Sequence, residues 1–252
     1  MFTVEERQEL RQDLLARASR DSRITGAAIT GSGAAQTEDE WSDIDLAFGV
    51  KDDANLAEVL AEWTGTMYGQ WKAVHHTDVR AGAWIYRVFL LESTLQVDLA
   101  FTPASEFRAI APTFRLVFGE AREARYPQPP EVGDLIAWAW LYALHARSAI
   151  ARGKLWQAEY MISAMRNQGL ALACLRHRLA TVHARGVDGL PANVLAPFEA
   201  ALVGKLERPE LVRAFGSLAS ALLVEIEAAG AAVAERLRGP LLEIANVTST
   251  QR

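Results

Sequence analysis

Asp43 and Asp45 stand two residues apart in the run Asp43-Ile44-Asp45-Leu46. Side chains alternate between the faces of a β-strand, so on a strand these carboxylates share one face while Ile44 and Leu46 enter the opposite layer. Two like charges held side by side repel, and a divalent cation between them relieves that repulsion. Ten residues separate the pair from a preceding small-residue turn, Gly31-Ser32. A third carboxylate, Asp98, sits among apolar neighbours in the run Leu95-Gln96-Val97-Asp98-Leu99-Ala100-Phe101. Three carboxylates on one face are suited to holding metal against a phosphate. A glycine turn beside them lets the backbone approach the phosphate oxygens closely.

Those residues need strands to carry them. Arg23 to Thr30 reads as a short buried strand leading into Gly31-Ser32, and Ser42 to Val50 as a second strand. Ahead of them, residues 4 to 20 place Leu10, Leu14 and Leu15 on one helical stripe. Asn55 to Tyr68 returns to helical period, with Leu56, Val59, Leu60 and Trp63 on one face. Three strand-like runs follow: Ala73 to Val79, Ala83 to Leu91 and Leu95 to Phe101. The last two are joined through Glu92-Ser93-Thr94, a length that suits a hairpin. Asp98 is then expected on a strand beside the paired aspartates.

At Tyr126-Pro127-Gln128-Pro129-Pro130 three prolines in four residues interrupt the pattern, which marks a domain boundary. Beyond it alanine and leucine dominate, and helices are expected over Leu135 to Gly153, Gln157 to Ala184, Pro191 to Leu206 and Arg208 to Leu237. The expected architecture is an α/β (α+β) N-terminal domain with a mixed sheet, residues 1–126, followed by an all-α domain, residues 127–252. A cleft between the two would hold the substrates.

Taken together, the glycine-serine turn, the Asp-x-Asp strand and the later lone aspartate resemble the DNA polymerase β-like nucleotidyltransferase superfamily. Thr30, in place of the usual apolar residue before Gly31, is a small departure that a strand tolerates. Length and a helical second half make the chain most similar to the small aminoglycoside and lincosamide nucleotidyltransferases. The motifs cover the first hundred residues, and the remainder matches by architecture alone. The resemblance implies transfer of a nucleoside monophosphate, AMP from ATP, to a hydroxyl of a small molecule such as an antibiotic, with release of pyrophosphate.

It also implies two Mg²⁺ ions held by Asp43, Asp45 and Asp98, with Asp98 as the base for the acceptor hydroxyl. Gly31 and Ser32 would contact the triphosphate. In such enzymes the helical domain supplies cations to the phosphates. Among Arg147, Arg152, Lys154 and Arg166 the best-placed candidates are Lys154, just after the helix-ending Gly153, and then Arg166. Two other readings retain the resemblance: adenylylation of a protein acceptor, and a non-catalytic nucleotide-binding regulator. The large helical half counts against the first, and the intact aspartate trio against the second.

Glu38-Asp39-Glu40 reads as a solvated acidic loop. His75-His76 has no metal-ligand spacing and reads as structural. Glu92 is a secondary candidate base. Of the seven tryptophans most read as core, with one of Trp138, Trp140 and Trp156 available to stack on adenine or a sugar.

Bulk properties bound the function. The formal net charge is −5, and no basic tract stands out, which disfavours a nucleic-acid partner. The charge is uneven: 13 Lys/Arg against 20 Asp/Glu up to Gln128, and 13 against 11 from Pro129 onward. Cys174 is the single cysteine and lies in an apolar helical run, so neither a disulfide framework nor a thiolate metal cluster is expected. The charged, amphipathic N-terminus does not resemble a secretory signal, and no apolar run is long enough to span a bilayer. A cytoplasmic protein without membrane partners is expected. The sequence sets no oligomeric state.

Overall fold

Helix α1 (Val4–Arg20) begins with a reciprocal cap: Thr3 Oγ1 accepts from the Glu6 N–H, and the Glu6 carboxylate accepts from the Thr3 N–H. The computed structural model of the protein describes residues 2–247. The chain divides into two units, one up to Pro127 and one from Gln128 onward.

The first unit is built on a mixed six-stranded sheet. Its strands are β1 (Ile24–Thr30), β2 (Ile44–Val50), β3 (Ala73–Ala81), β4 (Trp84–Leu91), β5 (Gln96–Pro103) and β6 (Phe114–Gly119). They lie in the order β3-β4-β5-β2-β1-β6. β2 and β5 run parallel, and every other neighbouring pair is antiparallel. Between β1 and β2 sits a one-turn helix, α2 (Gly31–Ala35), and between β2 and β3 helix α3 (Leu56–Gln70), whose N-cap Asn55 accepts from the Ala57 N–H.

Alternation sorts the strand residues between two layers. Ile44, Leu46 and Phe48 of β2 and Val97, Leu99 and Phe101 of β5 pack with Leu10 and Leu14 of α1 and Trp63 and Met67 of α3. The opposite face carries smaller residues, Ala28, Ala47 and Ala100, beside Trp84 and Phe107. Asp45 and Asp98, at the alternate positions, therefore belong to the small-residue face.

Phe114–Gly119 carries no alternating strand signal in the sequence. This is an edge strand whose residues are mostly exposed, so it lacks a buried periodicity, and it forms by pairing with the distant β1.

The second unit is all helical, with α4 (Val132–Ala151), α5 (Leu155–Arg176), α6 (Ala192–Glu199), α7 (Arg208–Ala229) and α8 (Ala231–Ala245) around one core. Gly153, at φ +67, turns α4 into α5. Arg176 of α5 clasps Glu225 of α7 through both carboxylate oxygens, Nε–Oε2 3.0 Å and Nη2–Oε1 2.8 Å.

Three helices differ from their expected bounds. α5 stops at Arg176 rather than Ala184, because Arg178 takes a left-handed conformation and the Leu179 N–H bonds back to the Cys174 carbonyl. That is a glycine-type helix stop built without glycine. α6 ends at Glu199, short of Leu206. The helix expected over Arg208 to Leu237 is two helices, broken at Gly230, whose extended backbone ends α7 and starts α8.

Cys174 is buried. The tryptophans of this unit are not core: Trp138 and Trp140 are exposed, and Trp156 is 78 % exposed. Their positions fall on outward faces of α4 and α5, where helical period overrides hydrophobicity. No helix among the described residues is long and apolar enough to cross a membrane.

Candidate active site

The parallel pairing of β2 and β5 places Asp45 directly opposite Asp98. Asp43 precedes β2 by one residue and, two positions before Asp45, reaches the same place. One carboxylate oxygen from each of Asp43, Asp45 and Asp98 lies within 4.8 Å of the others. Among the described residues these three are the group with the spacing of a metal site.

Gln96, to which the sequence pattern gives no role, lies two positions before Asp98 and so faces the same way. Its Nε2 donates to Asp98 Oδ1 at 3.0 Å and to Asp43 Oδ2 at 3.2 Å, bridging the two carboxylates. The period-2 spacing Gln96-x-Asp98 is the one sequence signal that could have found it.

Burial pushes the Asp98 carboxyl up to about 6, and the neighbouring Asp43 charge adds to the rise while the Gln96 hydrogen bond opposes it. A carboxylate so placed is a stronger proton acceptor than an ordinary exposed aspartate.

Gly31 closes the site from β1. Its φ is +58, the left-handed region that favours glycine, and a Cβ there would collide with the Asp45 carboxylate. The turn after β1 thus lies against the acidic trio, with Ser32 next to it as the second residue of α2. Gly33 is also tightly packed: a Cβ there would stand 3.0 Å from Arg11 Nη1.

The loop between this turn and β2 is not a freely solvated acidic run. Glu38 pairs with Arg11 of α1 at 2.6 Å, and Asp39 caps its own turn by accepting from the Trp41 N–H and the Ser42 hydroxyl. Glu92 stands in the β4–β5 hairpin turn, with its N–H bonded to the Lys72 carbonyl, and lies outside the trio. On β3, His76 Nδ1 meets the Tyr68 hydroxyl at 3.0 Å.

The two basic candidates belong to the helical unit. Lys154 is the exposed N-cap residue of α5. Arg166, on the same helix, is half-buried and donates to Ser163 Oγ at 2.9 Å, while Ser163 donates to Glu159. Burial lowers the Arg166 pKa, with the Glu159 charge opposing.

The donor set fits a divalent cation such as Mg²⁺. Three hard oxygen donors converge, a glycine leaves room beside them, and the crowding of negative charge calls for a cation.

No family model matches the chain, and no curated protein matches it. Among solved structures, the chain is similar to an aminoglycoside 6-adenyltransferase from Bacillus subtilis, at 12 % identity over 98 % of this chain and 100 % of that one, with a TM-score of 0.43. A likeness at that level leaves the functional argument to the site itself.

Proposed function

We propose that this protein is a Mg²⁺-dependent nucleotidyltransferase that moves AMP from ATP to a hydroxyl of a small molecule, of the aminoglycoside type, and releases pyrophosphate. The observation that carries this reading is the convergence of Asp43, Asp45 and Asp98 against the left-handed Gly31 turn.

Asp43 and Asp45 would hold the ion associated with the triphosphate, and all three aspartates would hold the second. Divalent ions held there would supply charge neutralisation at the α-phosphate and would lower the pKa of the acceptor hydroxyl. Asp98 accepts the proton of that hydroxyl at a carboxylate oxygen. The freed oxygen then forms its bond to the α-phosphorus as the bond to the bridging oxygen breaks. Gly31 and Ser32 offer backbone N–H groups, and Ser32 its hydroxyl, to the β- and γ-phosphate oxygens. Lys154, and after it Arg166, are assigned as further phosphate contacts on the ground of their charge.

Labelled ATP and Mg²⁺ incubated with a panel of aminoglycosides, lincosamides and proteins test the reading. Pyrophosphate release together with an adenylylated antibiotic is the expected result. Measurable ATP binding with no turnover on any acceptor would refute it in favour of a regulator, and labelled protein would move the acceptor to a side chain.

A further inference from the structure

Asp45 and Asp98 are held by the sheet, because both lie within the β2–β5 ladder. Asp43 is not: the ladder begins at Ile44, paired with Val97. The Gln96 amide holds its side chain, so what sets its backbone must come from the chain before it.

That support is a buried arginine. Arg7 of α1 is 1 % exposed, and its Nη1 donates to the carbonyls of Asp39 at 2.6 Å and of Ser42 at 2.8 Å. The Ser42 carbonyl belongs to the peptide that enters Asp43. The turn between the two carbonyls is closed from within by Ser42 Oγ, which accepts from the Asp39 N–H and donates to the Asp39 carboxylate, both at 2.9 Å. One helical turn further on, Arg11 grips Glu38 and packs under Gly33. The same helix face thus braces both chain segments that frame the trio, the Gly31–Gly33 turn and the Asp39–Ser42 turn.

Burying a guanidinium is costly, and Arg7 is not fully compensated. Its Nε has no hydrogen-bond partner, and its nearest carboxylate, Glu38, is 3.6 Å away and shared with Arg11. For stability alone, an apolar residue of similar volume would serve as well. What an apolar residue lacks is two donors aimed at the carbonyls ahead of Asp43.

We infer that Arg7 is a positioning residue for the metal site: through the Asp39–Ser42 turn it sets the backbone of Asp43, and thereby the affinity for a divalent cation. The inference rests on the metal-binding reading above.

Mn²⁺ alone, titrated into the full chain and followed by the EPR signal of the free ion, tests it without reference to turnover. Wild type should take up Mn²⁺, and Asp43→Asn should lose most of that uptake. Arg7→Met should bind about tenfold more weakly, the size of effect typical for residues that orient metal ligands. Arg7→Lys, which restores a donor to the carbonyls, should recover part of the loss. Ser42→Ala loosens the same turn from its exposed side and should weaken binding several-fold, which keeps the test intact if Arg7→Met does not fold. Because both residues act through one turn, the double variant should lose less than the product of the single losses.

If Asp43→Asn loses Mn²⁺ while Arg7→Met or Ser42→Ala stays within about twofold of wild type, the bracing role is overturned and the metal site stands. If Asp43→Asn binds as wild type does, the metal site and the bracing role fall together.

Discussion

Asp98→Asn should stabilise the metal-free protein while removing its activity. In the folded chain the Asp98 carboxyl titrates at about 6 instead of its ordinary 3.8, chiefly because burial disfavours the charged form, with the Asp43 charge contributing. A pKa raised in the folded state means that folding favours the protonated form. The contribution of this group to stability is therefore most favourable below pH 3.8, is lost as pH rises to about 6, and is flat above that. A rise of this size corresponds to about 3 kcal/mol, and partial solvent exposure reduces it to roughly 1–2 kcal/mol.

Asparagine is neutral at every pH and keeps an oxygen to accept from Gln96. In chelator at pH 8, Asp98→Asn should thus melt a few degrees above wild type, at roughly 2–4 °C per kcal/mol for a chain of this size. The gap should shrink towards pH 4. Adding Mg²⁺ should narrow or reverse the gap, since the ion stabilises the folded state of the wild type, with all three carboxylates, more than that of the variant with two. Thermal unfolding at pH 4, 6 and 8, with and without Mg²⁺, reads all of this, and nucleotidyl transfer should be abolished while Mg-ATP binding largely persists. A variant no more stable than wild type at pH 8 in chelator would refute the account of a carboxylate destabilised by burial, and near-normal turnover would refute Asp98 as the base.

Other perturbations test separate parts of the structure. Gly31→Ala places a methyl group against the Asp45 carboxylate in a left-handed turn, and should cost about 1–2 kcal/mol of stability, read by denaturant unfolding. The same change should lower transfer by about two orders of magnitude; normal rates would mean that the turn does not frame the site. Gln96→Leu removes the hydrogen bond that lowers the Asp98 pKa, so in chelator the ¹³C-detected titration of that carboxyl should move above about 6, and an unmoved midpoint would refute the bridge. In the helical unit, Arg176→Ala leaves the 4 %-exposed Glu225 carboxylate buried and unpaired, and should cost about 3–5 kcal/mol. Glu225→Ala should cost less, because the Arg176 head can turn to water; equal losses in denaturant unfolding would contradict that asymmetry.

The sequence by itself determined which segments form most of the strands and helices and which face of its strand each aspartate takes, because those depend on local periodicity. Alternation placed Ile44, Leu46, Val97 and Leu99 in one layer and left Asp45 and Asp98 facing the other. Tertiary structure decided what periodicity does not encode. The edge strand Phe114–Gly119 exists because β1 is there to pair with it. α5 ends where Arg178 adopts a left-handed backbone, for which composition offers no sign. Trp156 is on the surface because its helix turns it outward, whatever its hydrophobicity. At the site, Gln96 acquires its role from the parallel register of β2 and β5, and Arg7 from contacts thirty-two and thirty-five residues along the chain. Reading those contacts requires knowing which segments meet in space, because a hydrogen bond to a distant carbonyl depends on where the backbone lies and leaves no pattern in the intervening residues.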